Sequence, residues 1–183
     1  HSGMTVNAFL ISDPETEKAA IFDTGTDAMP VLDRIEANSL EVVGLFLTHT
    51  HPDHIAETDS LVRRLGIPVR SNEKEPYAGS EAFAEGAKFE IGKLRVETRT
   101  TWGHSKGGTT YVIEGLAKPV AIVGDAMFAG SMGGGMVSFE DALRTNREHI
   151  LSLPDETVLC PGHGPMTTVR EEKRNNPFFP EFT

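Results

Sequence analysis

The chain has 183 residues, of which 38% are hydrophobic and 24% charged, and its formal net charge is −10. This length fits one domain, and the composition is that of a globular protein rather than a disordered or fibrous one. Nucleic-acid backbones and anionic membranes select for basic patches, so the acidic charge argues against both as main partners and favours a small-molecule ligand.

The cysteine content and the ends of the chain bear on its setting. Cys160 is the single cysteine, so an internal disulfide cannot form, and we expect a reducing, cytoplasmic environment. The sequence has no signal-peptide pattern and no apolar run near the ~20 residues of a membrane span. Residues 1–3 resemble the remnant of an expression tag, which leaves residues 4–183 as one expected domain.

Apolar patterns and turn residues predict a β-rich first half. Residues 5–12 and 18–23 flank an Asp-Pro-Glu turn and predict a hairpin. Residues 28–38 carry apolar side chains at helical spacing, and the apolar run 42–47 is typical of a buried strand. These segments predict a β-α-β unit, and we expect a further helix over 55–65.

The second half predicts mainly short strands, with helices near its end. This order of elements predicts two sheets packed face to face with helices outside them. The predicted elements are a strand that starts with 67–69, strands over 88–91, 94–100, 109–113, 120–123 and 157–160, and helices over 141–153 and 168–175.

Four side chains that commonly bind metals lie within six residues, directly after the predicted strand 42–47: His49, His51, Asp53 and His54. In an extended segment, His49 and His51 project to the same side because side-chain direction alternates. Asp53 and His54 begin a predicted helix and can turn toward a neighbouring point. One short segment can therefore serve two metal ions, and imidazole and carboxylate suit zinc, iron or manganese.

Three later residues complete a candidate ligand set, each beside a glycine at the end of an apolar run: His104, Asp125 and His163. Glycine lets the backbone approach a site closely, and strand ends that meet at one rim would bring these residues together. A lone histidine is more often solvated or hydrogen-bonded, and His149 in the predicted helix keeps that interpretation. For Asp23, a turn residue and a partner that orients a histidine are both open.

At these residues the chain resembles the metallo-β-lactamase superfamily, whose His-x-His-x-Asp-His signature matches residues 49–54. Within the superfamily it looks most like the small glyoxalase II-like hydrolases of bacteria. The resemblance implies an α/β protein with the four-layer αββα sandwich of the metallo-β-lactamase fold. The other segments that match in the superfamily's order are 23–25, 103–104, 124–128 and 161–165, and the resemblance to the glyoxalase II-like hydrolases depends on 128–131 and 171–177.

The same resemblance implies a division of ligands between two divalent metal ions, first of all zinc, with iron or manganese as alternatives. Asp53 and Asp125 are the expected catalytic carboxylates, and Asp125 is expected to bridge the ions. The implied ligands are His49, His51 and His104 for one ion, and Asp53, His54 and His163 for the other.

The implied activity is hydrolysis of a small thioester, such as an acylated glutathione or a related thiol, by a hydroxide held between the two ions. Asp53 is expected to orient this hydroxide and to transfer a proton.

Three alternatives stay open: a persulfide dioxygenase with one iron on His49, His104 and Asp125, a lactone or ester hydrolase of the same fold, and a metal-binding protein without activity. A bridging Asp125 disfavours antibiotic degradation.

The chain departs from the glyoxalase II pattern around the expected substrate pocket. Residues 130–136 are rich in glycine where relatives usually carry an arginine, and Ser105 and Lys106 follow His104 in place of Thr-Pro. Only a short segment follows His163, where glyoxalase II has a helical region that contributes to glutathione binding. For Trp102 and Lys106 two interpretations are open: they shape a pocket that differs from that of glyoxalase II, or they are an ordinary packed tryptophan and a surface lysine.

Overall fold

Two β-sheets pack against each other in the computed structural model, which describes residues 6–182. The first sheet has the order β1-β2-β3-β4-β5, with β1 Phe9–Ser12, β2 Lys18–Phe22, β3 Glu41–Phe46, β4 Val69–Asn72 and β5 Glu81–Phe83. The second has the order β11-β10-β9-β8-β7-β6, with β6 Lys88–Ile91, β7 Leu94–Thr100, β8 Thr109–Glu114, β9 Val120–Gly124, β10 Val158–Pro161 and β11 Thr167–Thr168.

Helices connect the strands of both sheets. A π-helical turn, Asn146–Ile150, and a 3₁₀ turn, Pro180–Phe182, add to them. Within residues 6–182, no helix combines the length and the apolar character needed to cross a membrane. The α-helices are α1 Met29–Ala37, α2 Pro52–Ile55, α3 Thr58–Leu65, α4 Phe139–Thr145 and α5 Val169–Asn175.

The alternation of side chains along the strands produces four layers. In β2, Ile21 packs on the helix side with Leu32 of α1, whereas Phe22 packs between the sheets. In β9, Val123 packs in the cluster that includes residues of α4 and α5, whereas Ile122 faces the first sheet. The predicted αββα arrangement, two sheets with helices outside, is therefore confirmed.

Aromatic rings fill the space between the sheets. The ring centroid of Phe22 lies 5.3 Å from that of Phe46 and 5.2 Å from that of Tyr111 in the opposite sheet. All three residues are at most 1% exposed. Burying each ring contributes roughly 1.5–3 kcal/mol, so this contact holds the sheets at a fixed separation.

The predicted hairpin and the β-α-β unit are confirmed, but the first predicted strand begins later than expected. β1 pairs with β2 antiparallel, and β2 pairs with β3 parallel across α1. Residues 6–8 lie outside β1, because Asn7 N donates to Gly162 O (2.7 Å) and Asn7 Nδ2 to Pro161 O (2.9 Å). Asn7 thus bonds to the end of β10 and to the residue after it; residues 1–5, including the predicted tag remnant, lie outside the described residues.

The predicted helix over 55–65 is two helices, α2 and α3. Thr24 N and Thr24 Oγ1 both donate to His54 O, at 2.9 and 3.0 Å, and Thr24 Oγ1 accepts from Glu57 N at 3.1 Å. The His54 carbonyl is therefore bound by Thr24, and the helix is interrupted beside it. This interruption lets α2 turn toward the rim of the sandwich independently of α3.

The predicted helix over 141–153 is wrong at both ends. α4 begins at Phe139, because Ser138 Oγ caps it by accepting from Asp141 N (3.3 Å). It continues as the π-helical turn from Asn146, whose buried Nδ2 donates to Ala126 O at 2.7 Å. The short strands β5 and β11 had no counterpart among the predicted elements.

Asp13 fastens the β1-β2 turn to the β6-β7 turn. Its carboxylate accepts from Thr16 Oγ1 (2.6 Å), Lys93 N (2.7 Å) and Glu15 N (3.0 Å). These bonds, led by that of Thr16, lower the pKa of Asp13 below its ordinary 3.8. These bonds favour the ionised form of the Asp13 carboxyl. They therefore stabilise the folded protein fully above the pKa that Asp13 has in the unfolded chain. This stabilisation is lost as the pH falls through the lower pKa that Asp13 has in the folded protein.

We therefore expect Asp13→Asn to lower the melting temperature at pH 7, and the difference from the wild type to shrink as the pH falls below about 4. Melting curves across this pH range would measure it. Asp33→Asn, on an exposed position of α1, is the matched control and should change little. A deficit of Asp13→Asn that stays constant down to pH 2 would contradict this account.

Candidate metal centre

Seven side chains from both sheets meet at one rim of the sandwich, where the loops after the strands lie. The structure brings together every residue that the sequence predicts as a ligand, and their metal-binding roles remain predictions. The first sheet supplies His49 and His51 after β3 and Asp53 and His54 in α2; the second supplies His104 after β7, Asp125 after β9 and His163 after β10.

Three histidines direct one ring nitrogen each to a common point. His49 Nε2 lies 3.0 Å from His51 Nδ1, and His104 Nε2 lies 3.1 Å from the same atom. Nitrogen ligands at 2.0–2.1 Å from a tetrahedral zinc ion lie about 3.3 Å apart. The spacing of these nitrogens is therefore close to that of three ligands of one ion.

A second group lies beside the first and consists of Asp53, His54 and His163. Their ligand atoms lie within 4.8 Å of one another, with His163 Nε2 at 3.4 Å from Asp53 Oδ2. Asp125 lies between the groups: its Oδ1 is 3.3 Å from His54 Nε2, and its Oδ2 is 3.4 Å from His104 Nε2. Asp125 thus contacts both groups, as its predicted bridging role requires.

Asp23 orients two of the histidines from behind. Its Oδ2 accepts from Thr48 Oγ1 (2.7 Å) and from His54 Nδ1 (2.8 Å). Because Thr48 Oγ1 donates to Asp23, it accepts from His49 Nδ1 at 3.0 Å. Both rings therefore carry their proton on Nδ1 and present Nε2 to the site, which is the tautomer that a metal ligand needs. Of the two roles left open for Asp23, the structure supports the orienting one.

The glycine-rich loop after Asp125 orients the third histidine. His104 Nδ1 donates to Gly134 O at 2.8 Å, so its Nε2 also faces the site. The loop approaches this closely because Gly133 has no side chain: a methyl group there would overlap Asp125 O and lie 2.9 Å from His104 Nδ1. The glycines of this loop thus bring the backbone against the candidate ligands.

Two buried atoms at the centre of the site have no hydrogen-bond partner among the described residues. They are His54 Nε2 and Asp125 Oδ1, on side chains that are 0% and 8% exposed. Leaving a buried polar atom unpaired costs about 1–3 kcal/mol, and a cation between them would satisfy both. The nitrogen and carboxylate donors suit zinc, iron or manganese, so the residues fit two divalent ions.

Burial and neighbouring side chains change the pKa values of His49, His54 and Asp125. Burial and the surrounding histidines hold the pKa of His49 well below its ordinary 6.5, so the ring is neutral. Burial also opposes protonation of His54, but Asp23 and Asp125 outweigh it and raise the pKa of His54 to about 10. Burial would raise the pKa of Asp125, yet His54 holds it below the ordinary value. The two carboxylates thus favour positive charge where a metal ion would lie.

The remaining residues considered from the sequence lie outside these two ligand groups. His149 Nε2 is 3.8 Å from Glu85 Oε1, which agrees with its interpretation as an ordinary polar residue. Trp102 lines a groove with His149 and Lys74, and Lys106 is exposed.

Sequence reasoning missed two residues that support the ligands. Thr48 connects His49 to Asp23, and Glu75 accepts hydrogen bonds from two ligand-bearing loops. Thr48 stands next to the histidine cluster, so its position was a usable signal. Glu75 lies in a turn far along the chain from either loop, and no pattern in the sequence marked it.

Gly162 packs directly against the centre of the site, and we expect Gly162→Ala to disrupt it. A methyl group there would overlap Asp125 Oδ1 and lie 2.6 Å from His54 Cε1. Because such displacements move ligands, metal affinity should fall by at least about 10-fold. Competitive zinc titration measures this affinity, and Gly134→Ala is the control, since its methyl group would meet nothing within 4 Å. Equal affinities in the two variants would refute this expectation.

Comparison with known proteins places this geometry in a family. The family model described as the Metallo-beta-lactamase superfamily matches residues 2–163. The chain is 33% identical to a protein of Bacillus subtilis named "Probable metallo-hydrolase YqgX", over 96% of this chain and 92% of that one. It is 29% identical to "Hydroxyacylglutathione hydrolase GloC" of Haemophilus influenzae, over 94% and 92% of the two chains.

A solved structure agrees with the fold. The crystal structure of "BLEG-1 B3 metallo-beta-lactamase" superposes with a TM-score of 0.87 at 27% identity, covering 95% of this chain and 94% of that one. The paired sheets, the His-x-His-x-Asp-His segment and the family match agree. The chain therefore belongs to the metallo-β-lactamase superfamily and has its αββα fold.

Proposed function

We propose that this protein is a dinuclear metal-dependent hydrolase of the glyoxalase II-like type that cleaves a small thioester, such as an acylated glutathione or a similar thiol ester. The observation that carries the proposal is that two groups of three candidate ligands meet at Asp125, where the buried atoms His54 Nε2 and Asp125 Oδ1 lie 3.3 Å apart and have no hydrogen-bond partner among the described residues. The relative named as a hydroxyacylglutathione hydrolase supports the substrate class.

The charge of the ligand set suits ester hydrolysis. The only carboxylates in the two ligand groups and between them are Asp53 and Asp125. Two divalent cations would leave the site with a net positive charge, since five of the seven ligands are histidines. When bound, such ions lower the pKa of water and polarise a carbonyl group. The site can therefore stabilise the negative charge that develops on the substrate's carbonyl oxygen.

Asp53 is suited to proton transfer. Its side chain is 43% exposed at the mouth of the site, whereas that of Asp125 is 8% exposed. In the reaction, water adds to the acyl carbon, the C–S bond breaks with its electron pair on sulfur, and the products are a carboxylic acid and a thiol. Asp53 takes the proton from the attacking water and returns it to the leaving sulfur.

An apolar surface borders the site on the side of His104. Met136, Val137 and Phe139 are 71%, 45% and 51% exposed. Val137 N donates to Gly103 O at 2.9 Å, which attaches this segment to the residue before His104. Exposed apolar side chains beside a catalytic rim favour an organic acyl or thiol group over an inorganic ester.

The two-group site disfavours the dioxygenase alternative, because a single iron on His49, His104 and Asp125 would leave Asp53, His54 and His163 without a role. A lactone or ester hydrolase uses the same two ions and remains a second candidate. Since one of the matched solved structures is named a β-lactamase, a β-lactam belongs among the test substrates.

We expect zinc-loaded protein to hydrolyse S-lactoylglutathione, and to do so faster than a lactone or a chromogenic β-lactam at equal concentration. Steady-state rates of the loaded protein, compared with protein stripped by a chelator, test this. Asp53→Asn should lower kcat by roughly 10²–10⁴-fold, the usual contribution of general acid–base catalysis. If the loaded protein cleaves S-lactoylglutathione no faster than the stripped protein, this substrate class is wrong.

Metal content separates the two reaction types. We expect two divalent ions per chain after reconstitution. Removing them with a chelator should abolish hydrolysis, and adding zinc or manganese should restore it. Elemental analysis together with oxygen-electrode measurements on glutathione persulfide provides the readout. One iron per chain with oxygen uptake would instead favour the dioxygenase.

A further inference from the structure

Glu75 occupies a fixed position in the turn after β4. Its backbone N–H donates to Asn72 O at 3.0 Å, and Asn72 Oδ1 accepts from Lys74 N at 2.9 Å. Asn72, the last residue of β4, is itself buried and donates from Nδ2 to Thr109 Oγ1 at 3.2 Å. The turn thus holds the half-buried Glu75 side chain between the two sheets.

One carboxylate oxygen of Glu75 binds the first ligand loop. Its Oε1 accepts from Thr50 N at 2.8 Å and from Thr50 Oγ1 at 2.7 Å. Thr50 is the residue between His49 and His51. A two-point attachment at Thr50 fixes the backbone from which both histidines project.

The other carboxylate oxygen binds the loop that carries His104. Glu75 Oε2 accepts from Gly107 N at 2.8 Å, three residues after that histidine. A methyl group on Gly107 would lie 2.5 Å from Glu75 Cβ, so the close approach depends on glycine. This loop joins β7 and β8 and therefore belongs to the second sheet, whereas Thr50 follows β3 in the first.

The charge of Glu75 acts on the same ligands. Burial opposes ionisation of the carboxyl, but the donors Gly107 and Thr50 outweigh it and lower the pKa of Glu75. This negative charge lies beside the group of His49, His51 and His104, which itself contains no carboxylate.

We propose that Glu75 is a positioning residue that holds the loops of His49, His51 and His104 at the spacing of one metal ion. The inference rests on the proposed dinuclear centre and adds a specific role to it. Glu75 sets the affinity of the three-histidine site through hydrogen bonds to both loops and through its charge. In the other group, of Asp53, His54 and His163, His54 is held directly by Asp23, which reaches His49 only through Thr48.

A role limited to stabilising the fold would give a different result. It would lower the melting temperature of the metal-free protein and weaken both metal sites together. A positioning role weakens the binding of one of the two metal equivalents, that is, of one ion per chain. It leaves the melting temperature of the metal-free protein largely unchanged. The two equivalents can be followed separately by Co²⁺ absorption and by zinc titration against a chromophoric chelator.

The test compares Glu75→Gln with Glu73→Gln, an exposed glutamate in the same turn. An amide cannot accept from both loops with both of its terminal atoms, so one loop is released and the charge is lost. We expect one equivalent to bind about 10–100-fold more weakly in Glu75→Gln, with the other unchanged. Glu73→Gln should match the wild type, and metal-free melting temperatures should agree within a few degrees among all three.

Thr50→Val provides a second variant that keeps Glu75 and its charge. It removes only the bond from Thr50 Oγ1 and should weaken the same equivalent by several-fold. If the wild type binds two ions and Glu75→Gln and Thr50→Val bind them with unchanged affinities, the role of Glu75 is wrong, whereas the dinuclear centre stands. Parallel weakening of both sites with a lower metal-free melting temperature would also overturn the role of Glu75. A wild-type chain that binds no ion would refute the dinuclear centre itself.

Discussion

Two hydrogen bonds connect the sheets directly beneath the site, and the geometry of the rim depends on them. The buried hydroxyl of Tyr111 in β8 donates to Leu47 O at 2.6 Å, and Thr109 N donates to Thr48 O at 2.9 Å. Leu47 and Thr48 lead from β3 into the histidine segment. Because the ligands come from both sheets, their separation is set by these bonds and by the aromatic packing around Tyr111, rather than by either sheet alone.

Local sequence was sufficient to predict which candidate ligands lie together and insufficient to predict the residues that hold them. The density of histidines at 49–54 predicts a metal site by itself, since it has no packing purpose. By contrast, Glu75 contacts Thr50 and Gly107 across separations of 25 and 32 residues. Only the pairing of β4 beside β3, and the packing of one sheet on the other, bring these groups together. Such contacts leave no periodic trace in a single sequence.

The fold follows a similar division. Hairpins with tight turns and the parallel β2-α1-β3 unit could be predicted, because apolar periodicity and turn residues are local properties. The interruption between α2 and α3 could not, since it arises when Thr24, thirty residues earlier, binds the carbonyl of His54. The continuation of α4 as a π-helical turn likewise depends on a tertiary bond from Asn146 to Ala126.

The glycine-rich loop after Asp125 presents its backbone to the candidate ligands, packs Met132 into the core and presents Met136 to solvent. Gly133 and Gly134 meet Asp125 and His104, while Met136 stands 71% exposed a few residues on. A substitution at Met136 therefore need not displace the candidate ligands, because its side chain lies away from them in solvent. Relatives that differ mainly at such outward positions are expected to keep the arrangement of the seven side chains and to differ in the molecules that they contact.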